Sequence, residues 1–256
     1  MTERELKKLV CEIGRRLYGR GLIAGADGNI SLKLPRDRLL TTPSGCSKGF
    51  MKPEDIVVTD MEGNPLGGGK PSSELRLHLA VYRKRDDAGA VVHAHPPTAV
   101  AMTFAGVTLE ECIMPEVLVY MGTVPTTRYA TPSSPEGPEV IEEIIEKHDA
   151  VLLDRHGAVT VGPDLMTAWE RMEKLEHFAE VVLKARQMGA VRTLSADELR
   201  RLQENAAAMG LEVDTSVCNG DSCRSDIERI AAAVADGIRE AGLSAGAAPA
   251  PESQPQ

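Results

Sequence analysis

Apolar positions recur along this chain with two different periods, and each change of period marks a new element. Leu6, Leu9, Val10, Ile13 and Leu17 fall at three- and four-residue spacing, which predicts an amphipathic helix over 3–20 closed by Gly19 and Gly21. From 29 to 66 the pattern becomes short apolar runs, NISLKL, RLLTT and DIVVTD, separated by PSGCSKG and EGNPLGGGK. Short strands joined by Gly and Pro turns favour antiparallel pairing. The helical period returns over 73–85 with Leu75, Leu77, Leu79 and Tyr82; Ser72 or Ser73 supplies an N-cap, and Glu74 falls in the first turn. Next come an apolar strand at 90–94, a short helix around 97–105, and strands near 117–120 and 123–127. Val140, Ile141, Ile144 and Ile145 give 139–148 one apolar side, a further amphipathic helix. The strand AVLLD follows, and Gly162 and Pro163 open a long helix to about residue 188. Strands outnumber simple β-α-β crossovers, so the pattern predicts an α/β fold with a mixed or mostly antiparallel sheet and helices on both faces.

Beyond residue 190 the pattern weakens, which divides the chain into a domain over 1–190 and a C-terminal extension over 191–256. The extension carries a helix near 195–209, the polar stretch DTSVCNGDSCRS, and a second amphipathic helix over 226–241 built on Ile227, Ile230, Ala231, Val234 and Ile238. The tail SAGAAPAPESQPQ lacks the apolar groups needed to offset ordering and is expected to be disordered. With 256 residues, 42% of them hydrophobic, the chain can fill a core without staples. A net charge of −9 with no basic run argues against a nucleic-acid surface or an anionic membrane as partner, leaving a small molecule. The N-terminus MTERELKKLV lacks the layout of a signal peptide and no run approaches a membrane span, so the expected location is cytoplasmic. Cysteines at 11, 46, 112, 218 and 223 make no disulfide framework for such a compartment. Cys218 and Cys223 read as free thiols, since a structural zinc site wants four ligands.

The chemistry gathers around VVHAH. His93 and His95 are two apart at the end of a strand, so their imidazoles share a face. Glu74 lies upstream in PSSELRLHLA, and His156 lies downstream in VLLDRHGAV, just past another strand. Three neutral imidazoles and one carboxylate suit Zn²⁺ or a neighbouring divalent cation such as Mn²⁺, Co²⁺ or Fe²⁺. A second signal lies in three small loops: GADGNIS with Gly25, Gly28 and Asn29, TTPSG with Ser44 and Gly45, and KPSSE with Ser72 and Ser73. Each alone reads equally as a turn or a helix cap. Backbone N–H groups in such loops and at a helix start also favour a phosphate, and Ser73 adjoins Glu74, which suits a phosphorylated substrate.

Taken together, DGNIS, TPSG, PSSE, HAH and the HG of RHG occur in an order and spacing that resemble the class II aldolase and adducin head family, over about residues 3–189. The resemblance implies a three-layer α/β/α fold around a central, mostly antiparallel sheet. It also implies a homotetramer with sites at subunit junctions and a catalytic divalent metal, usually zinc. The metal ligands map onto His93, His95 and His156; Glu74 maps onto the acid/base that can also bind the metal when substrate is absent. Phosphate binding maps onto Gly28, Asn29, Ser44, Gly45, Ser72 and Ser73. The implied activity is metal-dependent aldol cleavage of a ketose 1-phosphate, such as fuculose 1-phosphate or 5-deoxyribulose 1-phosphate, to dihydroxyacetone phosphate and an aldehyde. Alternatives on the same scaffold are a sugar-phosphate dehydratase, a 4-epimerase and a decarboxylase. A non-catalytic adducin-like domain fits less well, because such domains lose the ligands that this chain keeps.

Two departures from the family stand out. In CIMPEVLVYMG no tyrosine matches the proton donor of the aldolases; Glu116 is the nearest candidate acid/base, with a solvent-facing strand end as its other reading and Tyr120 and Tyr129 as alternatives. His78 reads as a packing residue, and His148 and His177 carry no assignment. The other departure is the helix over 226–241, which reads first as a helix packing on its own tetramer and also resembles peptides that dock enzymes to a bacterial microcompartment shell.

Overall fold

In the computed structural model, which describes residues 1–211, 213 and 218, six strands form one sheet. They are β1 (Asn29–Leu34), β2 (Arg38–Thr41), β3 (Val57–Asp60), β4 (Ala90–Ala94), β5 (Ala150–Leu153) and β6 (Gly157–Gly162). Their order is β3-β2-β1-β4-β6-β5, and every neighbouring pair is antiparallel.

Alternation along these strands feeds two separate cores. Ala90, Val92 and Ala94 of β4, with Leu152 and Ala158, pack under α1 (Glu3–Gly19), α3 (Pro97–Phe104) and α6 (Leu165–Met188). Val91, Val151, Val159 and Val161 point the other way, against α2 (Leu75–Lys84) and α5 (Glu136–Glu142). The result is the expected three-layer α/β/α architecture. Full burial of each large side chain contributes about 1.5–3 kcal/mol, so Trp169, Met172, Leu175 and Phe178 alone fasten α6 to the sheet. Both long helices start as their sequences dictate: Thr2 and Glu5 form a capping box on α1, and the Asp164 side chain accepts from the Thr167 N–H on α6.

Four expectations about secondary structure are corrected. The strand expected near 117–120 is a helix, α4 (Pro115–Met121): Pro115 presets the first turn, and Val117, Leu118 and Met121 bury one helical side that a short apolar run disguises. The strand expected near 123–127 contributes isolated bridges, Leu109 with Val124 and Thr126 with Leu152. The helix expected over 139–148 occupies Glu136–Glu142, and Ile144 and Ile145 still pack inward from the turns that follow. Finally, α2 begins after Glu74 itself rather than after a serine cap, and Ser72 Oγ accepts from the Glu74 N–H at 3.3 Å.

After α6 comes α7 (Ala196–Ala208), whose Leu199 packs with Leu118, Cys112 and Cys218. Cys112 and Cys218 are joined by a disulfide, against the reading of free thiols; the partners are 106 residues apart, so no local spacing announces the pair. Cys223, the helix expected over 226–241 and the tail lie outside the described residues. Among the described residues no helix is long and apolar enough to cross a membrane.

Candidate metal centre

The site forms where β4 runs out beneath the start of α2. In the antiparallel register Asn29 faces His93 and Ser31 faces Val91, so these odd positions of β1 and β4 point toward the α2 layer. Glu74 enters from that layer. Its carboxylate reaches the histidines instead of capping its own helix. His95, past the end of the strand, is fixed by its N–H donating to the Leu22 carbonyl at 2.9 Å. His156 comes from the β5–β6 hairpin, which lies so close to the H-x-H segment that a Cβ on Gly157 would sit 2.5 Å from the Ala94 oxygen and 2.8 Å from His95 Cδ2. Only glycine permits that approach.

The four side chains converge. Glu74 Oε2 is 3.3 Å from His93 Nε2, Glu74 Oε1 is 3.3 Å from His156 Nε2, and the Nε2 atoms of His93 and His95 are 3.2 Å apart. One ligand atom from each of the four lies within 4.8 Å of the others. His93 is fully buried and places Nδ1 2.9 Å from the Ala158 carbonyl oxygen. That carbonyl can only accept, so Nδ1 carries the proton and the Nε2 lone pair faces the cluster, the state in which imidazole binds a metal. The residues therefore fit a divalent cation bound by three nitrogens and one oxygen.

Electrostatics agree with the geometry. Burial pushes the Glu74 carboxyl upward, but the His156 and His93 rings that face it outweigh burial and hold the group well below the usual range. Burial first, then the neighbouring His93 and His156 rings, depress His95 and keep it neutral. Asn29 is buried and its amide donates to Glu74 Oε2 at 3.3 Å, so it steadies the carboxylate.

The small loops meet beside this cluster. Pro43 bridges Pro71, the Ser44 N–H donates to the Lys70 carbonyl, and the Ser72 N–H donates to the Thr42 carbonyl. Thus Ser44 and Gly45 adjoin Ser72 and Ser73, with Ser73 next to Glu74. Gly28 takes a φ of +68°, and a Cβ there would lie 2.7 Å from the His93 oxygen. On the other side, a cleft lined by Ser73, Arg76, Leu77, Thr127 and Leu153 opens onto Glu74 and His156.

Other candidates lie elsewhere. Glu116 is exposed at the start of α4 and does not line that cleft. Tyr120 donates to Glu170 at 2.9 Å, and Tyr129 is exposed. His78 is buried with Nδ1 2.6 Å from Ser31 Oγ, the packing role expected of it. Sequence reasoning missed two groups. Asp27 Oδ2 lies 3.5 Å from His95 Nδ1, and the buried Lys48 ammonium donates to the Ala26 carbonyl. Asp27 sits inside the GADGNIS motif, where an acid next to Gly-Asn was the available signal; Lys48 looks like any loop lysine until folded.

The family model described as Class II Aldolase and Adducin N-terminal domain matches residues 8–183. The chain belongs to this family. As a class II aldolase domain it is 35% identical over 208 residues to the 3-oxo-tetronate 4-phosphate decarboxylase of Haemophilus influenzae, covering 79% of this chain and 98% of that protein. It is 34% identical over 178 residues to the L-fuculose phosphate aldolase of Methanocaldococcus jannaschii, covering 69% of this chain and 95% of that protein. Among solved structures, YgbL from Klebsiella pneumoniae superposes with a TM-score of 0.73 at 32% identity, covering 79% of this chain and 99% of that one. L-fuculose-1-phosphate aldolase from Thermus thermophilus gives 0.64 at 31% identity, covering 74% and 98%. The chain is thus a sugar-phosphate enzyme of the class II aldolase superfamily with a His/Glu metal site.

Proposed function

We propose that the chain is a zinc-dependent lyase that cleaves a ketose 1-phosphate of the deoxy-sugar type, such as fuculose 1-phosphate or 5-deoxyribulose 1-phosphate, to dihydroxyacetone phosphate and an aldehyde. The observation that carries this reading is the convergence of His93, His95, His156 and Glu74 on one point, with the hydroxyl-bearing Ser44 and Ser72 loops joined to each other beside Glu74. Cleavage between C3 and C4 leaves the electron pair as an enediolate on the C2 and C3 oxygens. When bound, a divalent cation supplies the positive charge that stabilises that anion.

The residues divide the remaining work. Gly28, Asn29, Ser44, Gly45, Ser72 and Ser73 border the place for the phosphate, where the serine hydroxyls and the positive end of α2 favour an anion. Glu74 is the group that delivers a proton to the enediolate carbon, since its carboxylate lies at the cluster and can turn from ligand to acid/base. The cleft by Arg76 and Leu77 receives the departing half. Aldol cleavage also takes the proton of the C4 hydroxyl, and we assign that step to Glu116 of a neighbouring copy in a homotetramer, because within one chain Glu116 stands outside the cleft. A cytoplasmic location suits this metabolic chemistry.

A second reading, 3-oxo-tetronate 4-phosphate decarboxylase, is favoured by the relative from Haemophilus influenzae. Loss of CO₂ from that substrate leaves the same three-carbon enediolate phosphate, and only the departing group differs. Decarboxylation needs no base for a hydroxyl, so Glu74 alone would complete it. Both substrates yield dihydroxyacetone phosphate, measurable with a coupled reductase, so the deciding assay pairs that readout with detection of aldehyde and of CO₂, with zinc and with chelator. Aldehyde from a ketose 1-phosphate is the expected result. CO₂ from the acid with no turnover of any ketose 1-phosphate would replace the aldolase by the decarboxylase.

A further inference from the structure

The imidazoles of the centre are oriented from outside by different devices. On His93 a backbone carbonyl receives the Nδ1 proton at 2.9 Å. On His95 the corresponding nitrogen faces the carboxylate of Asp27, whose Oδ2 is 3.5 Å away. A carboxylate on the far nitrogen of a ligating histidine fixes the tautomer and the ring plane and raises the basicity of the nitrogen that binds.

Asp27 is not a stray surface acid, because the loop that carries it is pinned on both sides. Before it, the Ala26 carbonyl accepts from the Lys48 ammonium, and Lys48 is only 2% exposed. After it, Gly28 lies against the His93 carbonyl too closely for any Cβ, and Asn29 pairs with His93 in the sheet while its amide holds Glu74. The Asp27 N–H itself closes a turn onto the Ala24 carbonyl at 2.9 Å. The loop therefore has little room to carry the carboxylate away from His95. Yet the Asp27 side chain is 51% exposed, so packing does not explain its place.

We propose that Asp27 is a positioning residue of the metal centre, holding His95 in its ligating orientation, and that Lys48 acts through it by anchoring the loop. The inference rests on the reading that the His/Glu cluster binds a metal, and it adds a carboxylate beyond the four ligands.

The test is the zinc affinity of the full chain, measured by competition with a fluorescent chelator, alongside the melting temperature of the metal-free protein. Asp27→Ala is expected to bind zinc roughly 10–100-fold more weakly, with the metal-free melting temperature unchanged. Asp27→Asn, which keeps an acceptor oxygen without the charge, should fall between the two. Lys48→Met should also weaken zinc binding, and the double variant should bind within about twofold of Asp27→Ala, as expected for residues acting in series. Wild-type affinity in Asp27→Ala overturns the proposal, as does a weaker affinity matched by a large loss of metal-free stability. Losses that multiply in the double variant overturn the part assigned to Lys48. A wild-type chain that binds no divalent cation removes the metal reading itself, a result distinct from an unaffected Asp27 variant.

Discussion

Glu74 touches two histidines with its two oxygens, so a change at this one carboxylate acts on both charge and proton transfer. Glu74→Gln leaves the three imidazoles in place and is expected to retain metal while turnover falls by about 10²–10⁴-fold. Elemental analysis with a single-turnover assay checks this, and wild-type rates would remove Glu74 from proton transfer. His156→Ala takes away a ligand instead and should lose stoichiometric metal; a fully loaded variant would undo the assignment. His78 makes a prediction of a different kind. Burial depresses it from 6.5 to about 3, and its Nδ1 meets the Ser31 hydroxyl, which in turn pairs with the Tyr82 hydroxyl. The unfolded chain binds that proton below pH 6.5 while the folded chain refuses it until about pH 3. Its contribution is therefore intact above 6.5 and is lost as pH falls through that window, by an amount on the order of a few kcal/mol. Urea unfolding of metal-free protein at a series of pH values should show this slope, less steep in His78→Gln; His95, also depressed, adds to it in the same direction.

Elements explain why the residues meet. The β5–β6 hairpin can lie on the H-x-H segment only because Gly157 lacks a Cβ. Gly157→Ala is expected to cost about 1–3 kcal/mol through overpacking and to weaken metal binding, since the displaced hairpin carries His156. Thermal unfolding and zinc titration of that variant read both effects, and an unchanged affinity would show that the hairpin can shift without moving the ligand. The sequence made long helices and β4 plain, because α1, α6 and the run AVVHA each repeat one period over enough residues. Short elements were less legible. VLVY on α4 is rich in strand-forming residues, and only packing of Val117, Leu118 and Met121 on one side decides for a helix. Likewise Ile144 and Ile145 continue an apolar pattern past the end of α5, so burial outlasts the helix that was read from it.

At the scale of the whole molecule, the two cores on either face of the sheet hold the fold without help from the site. Chelation is therefore expected to abolish activity while leaving the circular dichroism spectrum unchanged, with recovery on adding zinc. Collapse of the spectrum on chelation would mean that the metal is part of the fold. The sequence by itself determined the layer pattern, the ligand types and the hydroxyl loops, because periodicity and residue chemistry are local properties. It determined the H-x-H pair for the same reason: two residues apart on a strand means one face. Tertiary structure alone decided that Glu74 bridges His93 and His156, that Asp27 stands behind His95, that Lys48 lies buried under the Gly-Asn loop, and that Cys112 meets Cys218. Those pairings join segments that only the sheet register and the packing of α2 and α7 bring within reach, and no period along the chain encodes a distance across it.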